Sequence, residues 1–386
     1  MSDNNSKTNS EVDNDKWKFC PTCGERLPPD SDNITYCPSC GFSIKNFKER
    51  GTITHAHDKF IDFTEVKLTE KELSDNTKKP LWSTSSSIFL PLFAFATMEF
   101  IVVVIFFILV FIFPEILLLE ELIDNTLFLI VFSLFEFIFI FIPLIAVGKY
   151  LQTPSIRNRL GILGLPIDQT KLGKLKEIFL GFGFSVIAVF LVNLVSFFLE
   201  FILSFFFDLE VVFNSQNPSS EIDNYIFSAN LFEIVLLVLI MILVVGPSEE
   251  IAFRGYTQKG LIRNLGNTSG ILITALIFTA IHLLTLILIA FASPISFFVQ
   301  FILMFFPYFA LSLLLGMLFH YRDENLIAPI VLHGVYNSLT VILGYIFYNG
   351  TIEDLNVFFL IIILLMVISF FSYYILEYIE KNNKWK

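Results

Sequence analysis

Leu231-Phe232-Glu233-Ile234-Val235-Leu236-Leu237-Val238-Leu239-Ile240-Met241-Ile242-Leu243-Val244-Val245 runs directly into Gly246-Pro247-Ser248-Glu249-Glu250-Ile251-Ala252-Phe253-Arg254-Gly255-Tyr256. The first half is apolar enough to enter a bilayer as a helix, the form in which a segment satisfies its own backbone N–H and C=O groups. The second half sets two carboxylates and an arginine at or near membrane depth, where charge is costly and is kept mainly for function. If the helix continues past Pro247, Glu250 and Arg254 stand one turn apart and pair along one face. Glu249 then lies about 100° around the axis, on the side of Phe253, with its carboxylate left over. One acid held by a base beside a second, unpaired acid is the asymmetry that acid–base chemistry needs.

The rest of the chain is of the same kind. Its 386 residues are 55% hydrophobic and include 47 phenylalanines, with a mean hydropathy of +0.72. The expected fold is an all-α membrane protein, a bundle of about eight transmembrane helices. The apolar segments are Ile88–Phe113, Thr126–Val147, Ile178–Phe207, Leu231–Val245 with its continuation, Ser269–Phe291, Ser296–Phe319, Leu326–Tyr348 and Asn356–Tyr378. The connections after the first, third, fifth and seventh segments carry no lysine or arginine, and those after the first, third and seventh carry acids. All 25 Lys and Arg residues fall in the N-terminal region, in the other three connections or in the tail. That is the positive-inside distribution, so both termini are expected in the cytoplasm and the span count is expected to be even. The net charge of −11 is therefore sorted by side of the membrane and says little about partners.

The four cysteines are confined to the N-terminal region, as Cys20-Pro-Thr-Cys23-Gly and Cys37-Pro-Ser-Cys40-Gly. Two Cys-x-x-Cys knuckles can present four thiolates to one structural Zn2+, and a piece of this size needs such a metal to fold. The organisation expected is a disordered tail over 1–16, a small cytosolic zinc ribbon of short strands over 17–45, a polar linker over 46–86 and a membrane domain over 87–380. Trp82, near the linker's end, suits a membrane interface. Acids and bases are mixed through residues 20–48, so no nucleic acid is expected there. A cytosolic protein partner, or the protein's own substrate, suits the ribbon better.

Chemistry-bearing residues gather in segments four to seven. They are Glu249, Glu250 and Arg254, then Phe278-x-x-x-His282, then His333-x-x-x-Asn337, with His320 on a connection nearby. Segments four, five and seven place these groups in the cytoplasmic half of one bundle, and an i, i+4 spacing puts His333 and Asn337 on one helix face. Singly, each has an ordinary structural use: a helix-end ion pair, or His and Asn as hydrogen-bonding glue between helices. Their agreement in depth and side is what favours a site. Glu99, Glu136, Glu200 and Asn193 lie inside apolar runs without basic partners at similar depth and are read as protonated or hydrogen-bonded within the bundle. Paired broken helices, the mark of a transporter, are lacking apart from the single Gly246-Pro247 interruption.

Glu-Glu-x-x-x-Arg, Phe-x-x-x-His and His-x-x-x-Asn, in that order on successive hydrophobic segments, resemble the three motifs of the CPBP family. These are intramembrane endopeptidases that include the Ras-converting CAAX enzyme, and the resemblance covers about 173–349. It implies an endopeptidase acting on a peptide or lipidated protein in the membrane, with a CAAX-type substrate as one option. Glu249 would be the general base, His282 would position the water, and His333 and Asn337 would stabilise the oxyanion. Glu250 and Arg254 would fix the helix and orient Glu249, with Phe278 beneath His282. No active-site metal is favoured. The alternatives are a zinc metalloprotease using Glu249, His282 and His333, or a non-catalytic membrane scaffold or self-immunity protein.

Overall fold

The computed structural model describes residues 20, 25–27, 37, 81–113, 126–151, 154–167, 169–209, 212, 229–286 and 293–383. The chain divides into two compact units, 1–66 and 67–386. In the first, Cys20 and Cys37 are buried, the Cys20 N–H donates to the Glu25 carbonyl at 2.7 Å, and Arg26 forms an isolated β-bridge. Cys23, Cys40, the expected tail and nearly all of the expected linker lie outside the described residues.

The second unit is helical. Its principal helices correspond one to one with the eight apolar segments: α1 Thr84–Ile112, α2 Leu129–Tyr150, α3 Lys171–Leu203, α4 Leu231–Leu265, α5 Asn267–His282, α6 Pro294–Tyr321, α7 Ile327–Asn349 and α8 Ile352–Asn383. Seven are long and apolar enough to cross a membrane, and α5 is the exception. The expected run to Phe291 stops at His282, after 16 residues, or about 24 Å of helix. A single 3-10 turn, Leu284–Leu286, follows. The apolar run continues through Leu284, Leu286 and Ile287, so composition carries no trace of the stop.

In α3, helices α6, α7 and α8 find a common partner, while α4 lies between α2 and α7. Outward-facing positions carry bare phenylalanines, among them Phe93, Phe100, Phe107 and Phe111 on α1, as lipid contact allows. Glu233, a lone acid in the apolar start of α4, completes a capping box with Asn230, satisfying N–H groups at the helix end.

No break occurs at Gly246-Pro247. Helix α4 passes through it as a π turn over Met241–Val245, a short α stretch over Gly246–Glu250 and a longer π stretch over Ile251–Gln258. The Gly246 N–H reaches back to Met241 O, an i to i−5 bond that lets the helix absorb a proline without an N–H of its own. Trp82 is also not where the sequence suggested. It is 1% exposed, stacks on Tyr256 at 4.4 Å and donates from Nε1 to Tyr256 O at 3.2 Å. That carbonyl lies in the π stretch, where widened hydrogen bonding leaves an acceptor for a side chain.

Candidate active site

Glu250 and Arg254 are the paired residues the spacing predicts. Arg254 Nη1 donates to Glu250 Oε1 at 2.7 Å, with both side chains fully buried. The other arm of the guanidinium donates to Ser312 on α6, to its hydroxyl at 2.7 Å and its carbonyl at 3.2 Å. The guanidinium carbon lies 4.8 Å from the centre of the Phe278 ring, a cation–π distance. Phe278 thus supports the arginine as well as lying 4.3 Å from the His282 ring. Both terminal nitrogens of this buried charge are used and three helices hold it, although Nε has no hydrogen-bond partner among the described residues.

Glu250 Oε1 also bonds His333 Nδ1 at 2.8 Å. A carboxylate paired with arginine can only accept, so the proton of this bond is on Nδ1. That orients the ring so that Nε2 faces Glu249, at 3.4 Å from Oε2. Glu250 therefore orients His333, whereas its expected task was to orient Glu249. On the other side, His282 Nε2 is 3.8 Å from Glu249 Oε1, and its Nδ1 is 2.9 Å from the Phe278 carbonyl one turn back. Glu249 Oε2 is buried with no hydrogen-bond partner among the described residues. It is the unengaged acid, flanked by two imidazoles.

Two small residues set these distances. A Cβ on Gly246 would fall 2.8 Å from Gly334 N, and one on Gly334 would fall 2.9 Å from Ile242 Cα. Helices α4 and α7 cross backbone to backbone at this point, close by Glu249 and Glu250 on one helix and beside His333 on the other.

Asn337 is one turn beyond His333, half-buried, and its amide is not hydrogen-bonded to these side chains. His320 lies apart, in the last turn of α6 against Tyr321. Tyr308 of α6 belongs to the site without having been singled out: its ring is 4.7 Å from that of His282 and it interacts electrostatically with Glu249. Ser312 was missed likewise. Both sit in an apolar run with no motif to mark them. Among the passed-over acids and amides, Asn193 bonds the Val189 carbonyl of its own helix, whereas the turn that carries Glu136 packs against the Gly246–Glu250 stretch of α4. Among the described residues no group of three or more His, Cys, Asp or Glu side chains is placed to hold a metal ion.

Residues 231–339 match the family model described as Type II CAAX prenyl endopeptidase Rce1-like. Over this stretch the chain is similar to a CAAX-protease-family domain. The Rce1-like match begins at the first residue of α4 and ends two residues after Asn337, so it encloses Glu249, Glu250, Arg254, Phe278, His282, His333 and Asn337. It is narrower than the expected core of about 173–349 and spans less than a third of the 386 residues; α1 to α3 and α8 lie outside it. No curated protein and no solved structure matches the chain.

Proposed function

We propose that the protein is an intramembrane endopeptidase that hydrolyses a peptide bond of a membrane-associated, CAAX-type substrate. The observation that carries this reading is Glu249, whose buried Oε2 has no hydrogen bond and lies 3.4 Å from His333 Nε2 while its Oε1 lies 3.8 Å from His282 Nε2. Glu249 takes a proton from a water held by His282, and the resulting hydroxide adds to the scissile carbonyl carbon. The Asn337 amide donates to the oxyanion, and so does His333 Nε2 when the ring, its Nδ1–H donating to Glu250, is doubly protonated. Collapse breaks the C–N bond, and Glu249 returns its proton to the leaving amine. The pairing of Glu250 with Arg254 and His333 keeps the neighbouring acid out of the reaction.

The matching substrate is a prenylated cysteine followed by three removable residues. The full-length protein in liposomes should release a tripeptide from such a peptide. Glu249→Gln should remove at least ~10²-fold of kcat, the lower bound for losing a general base, with expression intact. If the cellular effect of the protein persists in Glu249→Gln, the scaffold or self-immunity reading replaces this one.

Two further proposals come from the sequence. Both termini are cytoplasmic, on the positive-inside distribution. Cys20, Cys23, Cys37 and Cys40 hold one structural zinc; the burial of Cys20 and Cys37 suits such a centre, with a cytosolic protein as the ribbon's partner. Purified protein should contain one zinc per chain, and replacement of all four cysteines by serine should abolish it. Zinc that remains stoichiometric in that variant would place a metal elsewhere and favour the Glu249, His282, His333 ligand set.

A further inference from the structure

Glu136 is a half-buried acid, its Oε2 out of reach of solvent, for which the chemistry above has no use. It lies on the 3-10 turn Phe135–Phe137 in the middle of α2. A tightened turn inside a long helix ordinarily has a local cause or marks a functional position. Leu134-Phe135-Glu136-Phe137-Ile138 contains no proline or glycine; Ser133 just before it back-bonds the Leu129 carbonyl at 2.9 Å, and tertiary packing adds to that local bend. The turn packs against both Met241–Val245 and Gly246–Glu250 of α4. Phe135, Ile138 and Phe139 join Phe253, Phe278 and Ile281 in one apolar cluster, the same wall that supports His282. Oε2 of Glu136 is buried with no hydrogen-bond partner among the described residues, and the α4 stretch its turn packs against, Gly246–Glu250, is the one that carries Glu249.

Packing does not call for an acid here. The flanking positions are Leu, Phe and Ile, and a leucine at 136 would remove a partnerless buried oxygen, a change that is neutral or stabilising. We propose that Glu136 is a positioning residue of the reaction centre, whose carboxyl hydrogen-bonds the water that Glu249 activates. The inference rests on the endopeptidase reading and deepens it. It brings α2, a helix outside the family match, into the site.

Three variants of the full-length protein in liposomes test it, with the same prenylated peptide: Glu136→Leu, Glu136→Gln and, as the inactive control, Glu249→Gln. Loss of a positioning group misplaces the water without weakening substrate binding. Glu136→Leu should therefore lower kcat by about 10²-fold at unchanged KM, while its Tm equals or exceeds that of the wild type. Glu136→Gln keeps size and hydrogen-bonding capacity and should recover most of the lost rate. Wild-type kcat in Glu136→Leu overturns the proposal. A joint fall of Tm and kcat in Glu136→Leu also overturns it, by showing a structural role, and so does a Glu136→Gln variant as slow as Glu136→Leu. A wild type that cleaves nothing overturns the endopeptidase reading and this one together, an outcome distinct from the other three.

Discussion

Arg254 has the most to lose on substitution. Its guanidinium neutralises Glu250, bonds Ser312 and covers Phe278, so Arg254→Leu strands a fully buried carboxylate. Removing one partner of a buried pair costs about 3–5 kcal/mol, and thermal unfolding in detergent should show a correspondingly large fall in Tm. Arg254→Lys keeps the charge but not the fork that spans Glu250 and Ser312, and should fall between the two. Glu249 contrasts with its neighbour, whose Oε1 is held by both Arg254 and His333: its amide substitution should disturb turnover and leave folding intact. The i, i+4 spacing marked Glu250 and Arg254 before any coordinates. It carried nothing about Ser312 or Tyr308, because a hydroxyl in an apolar run looks the same whether it faces lipid or an arginine.

Among the helices, the crossing of α4 and α7 decides whether the site exists. Backbone surrounds Gly334, with Ile242 Cα at 2.9 Å and Met241 O at 3.0 Å from the position of an added Cβ, and backbone cannot rotate aside. Gly334→Ala should destabilise by about 1–3 kcal/mol through overpacking. Its effect on activity should be larger, because an ~1 Å separation of reacting groups costs on the order of 10²-fold in rate. Peptide turnover measured at a temperature where the variant is still folded separates the two effects. The π stretches of α4 belong to the same account. They carry the helix past Pro247 and leave Tyr256 O for Trp82, so a position suited by composition to a membrane interface became a buried anchor.

Over the molecule as a whole, the end of the bundle that bears the basic residues is closed by Glu324, which bonds Lys259 at 3.0 Å and Arg263 at 2.8 Å. Burial alone would push the Glu324 carboxyl up, but the two cations outweigh it and hold the group below its ordinary value of 4.5. A depressed folded-state pKa means stability that is fully present above that value and lost as pH falls through the folded one. Thermal stability should therefore decline below about pH 4.5, and Glu324→Gln should flatten that part of the profile. The loop geometry supports the role, since Asp323 and Glu324 both take positive φ, 54° and 60°, a conformation held against its intrinsic cost.

Eight apolar stretches, the sorting of charge between their connections, and the residues of the three motifs were all readable from the chain. Each depends on composition or on a spacing of four along one helix, and both are local. The end of α5 at His282, the burial of Trp82, the use of Glu250 to orient His333 and the packing of the Glu136 turn against α4 were not. Each depends on which helix lies against which and how closely, a matter of packing between segments far apart in the chain. Lipid and protein interior are both apolar, so a sequence patterned to enter a membrane does not distinguish the faces that will meet. The Gly246 and Gly334 contact made that choice here, bringing the unpaired carboxylate of Glu249 within 3.4 Å of His333.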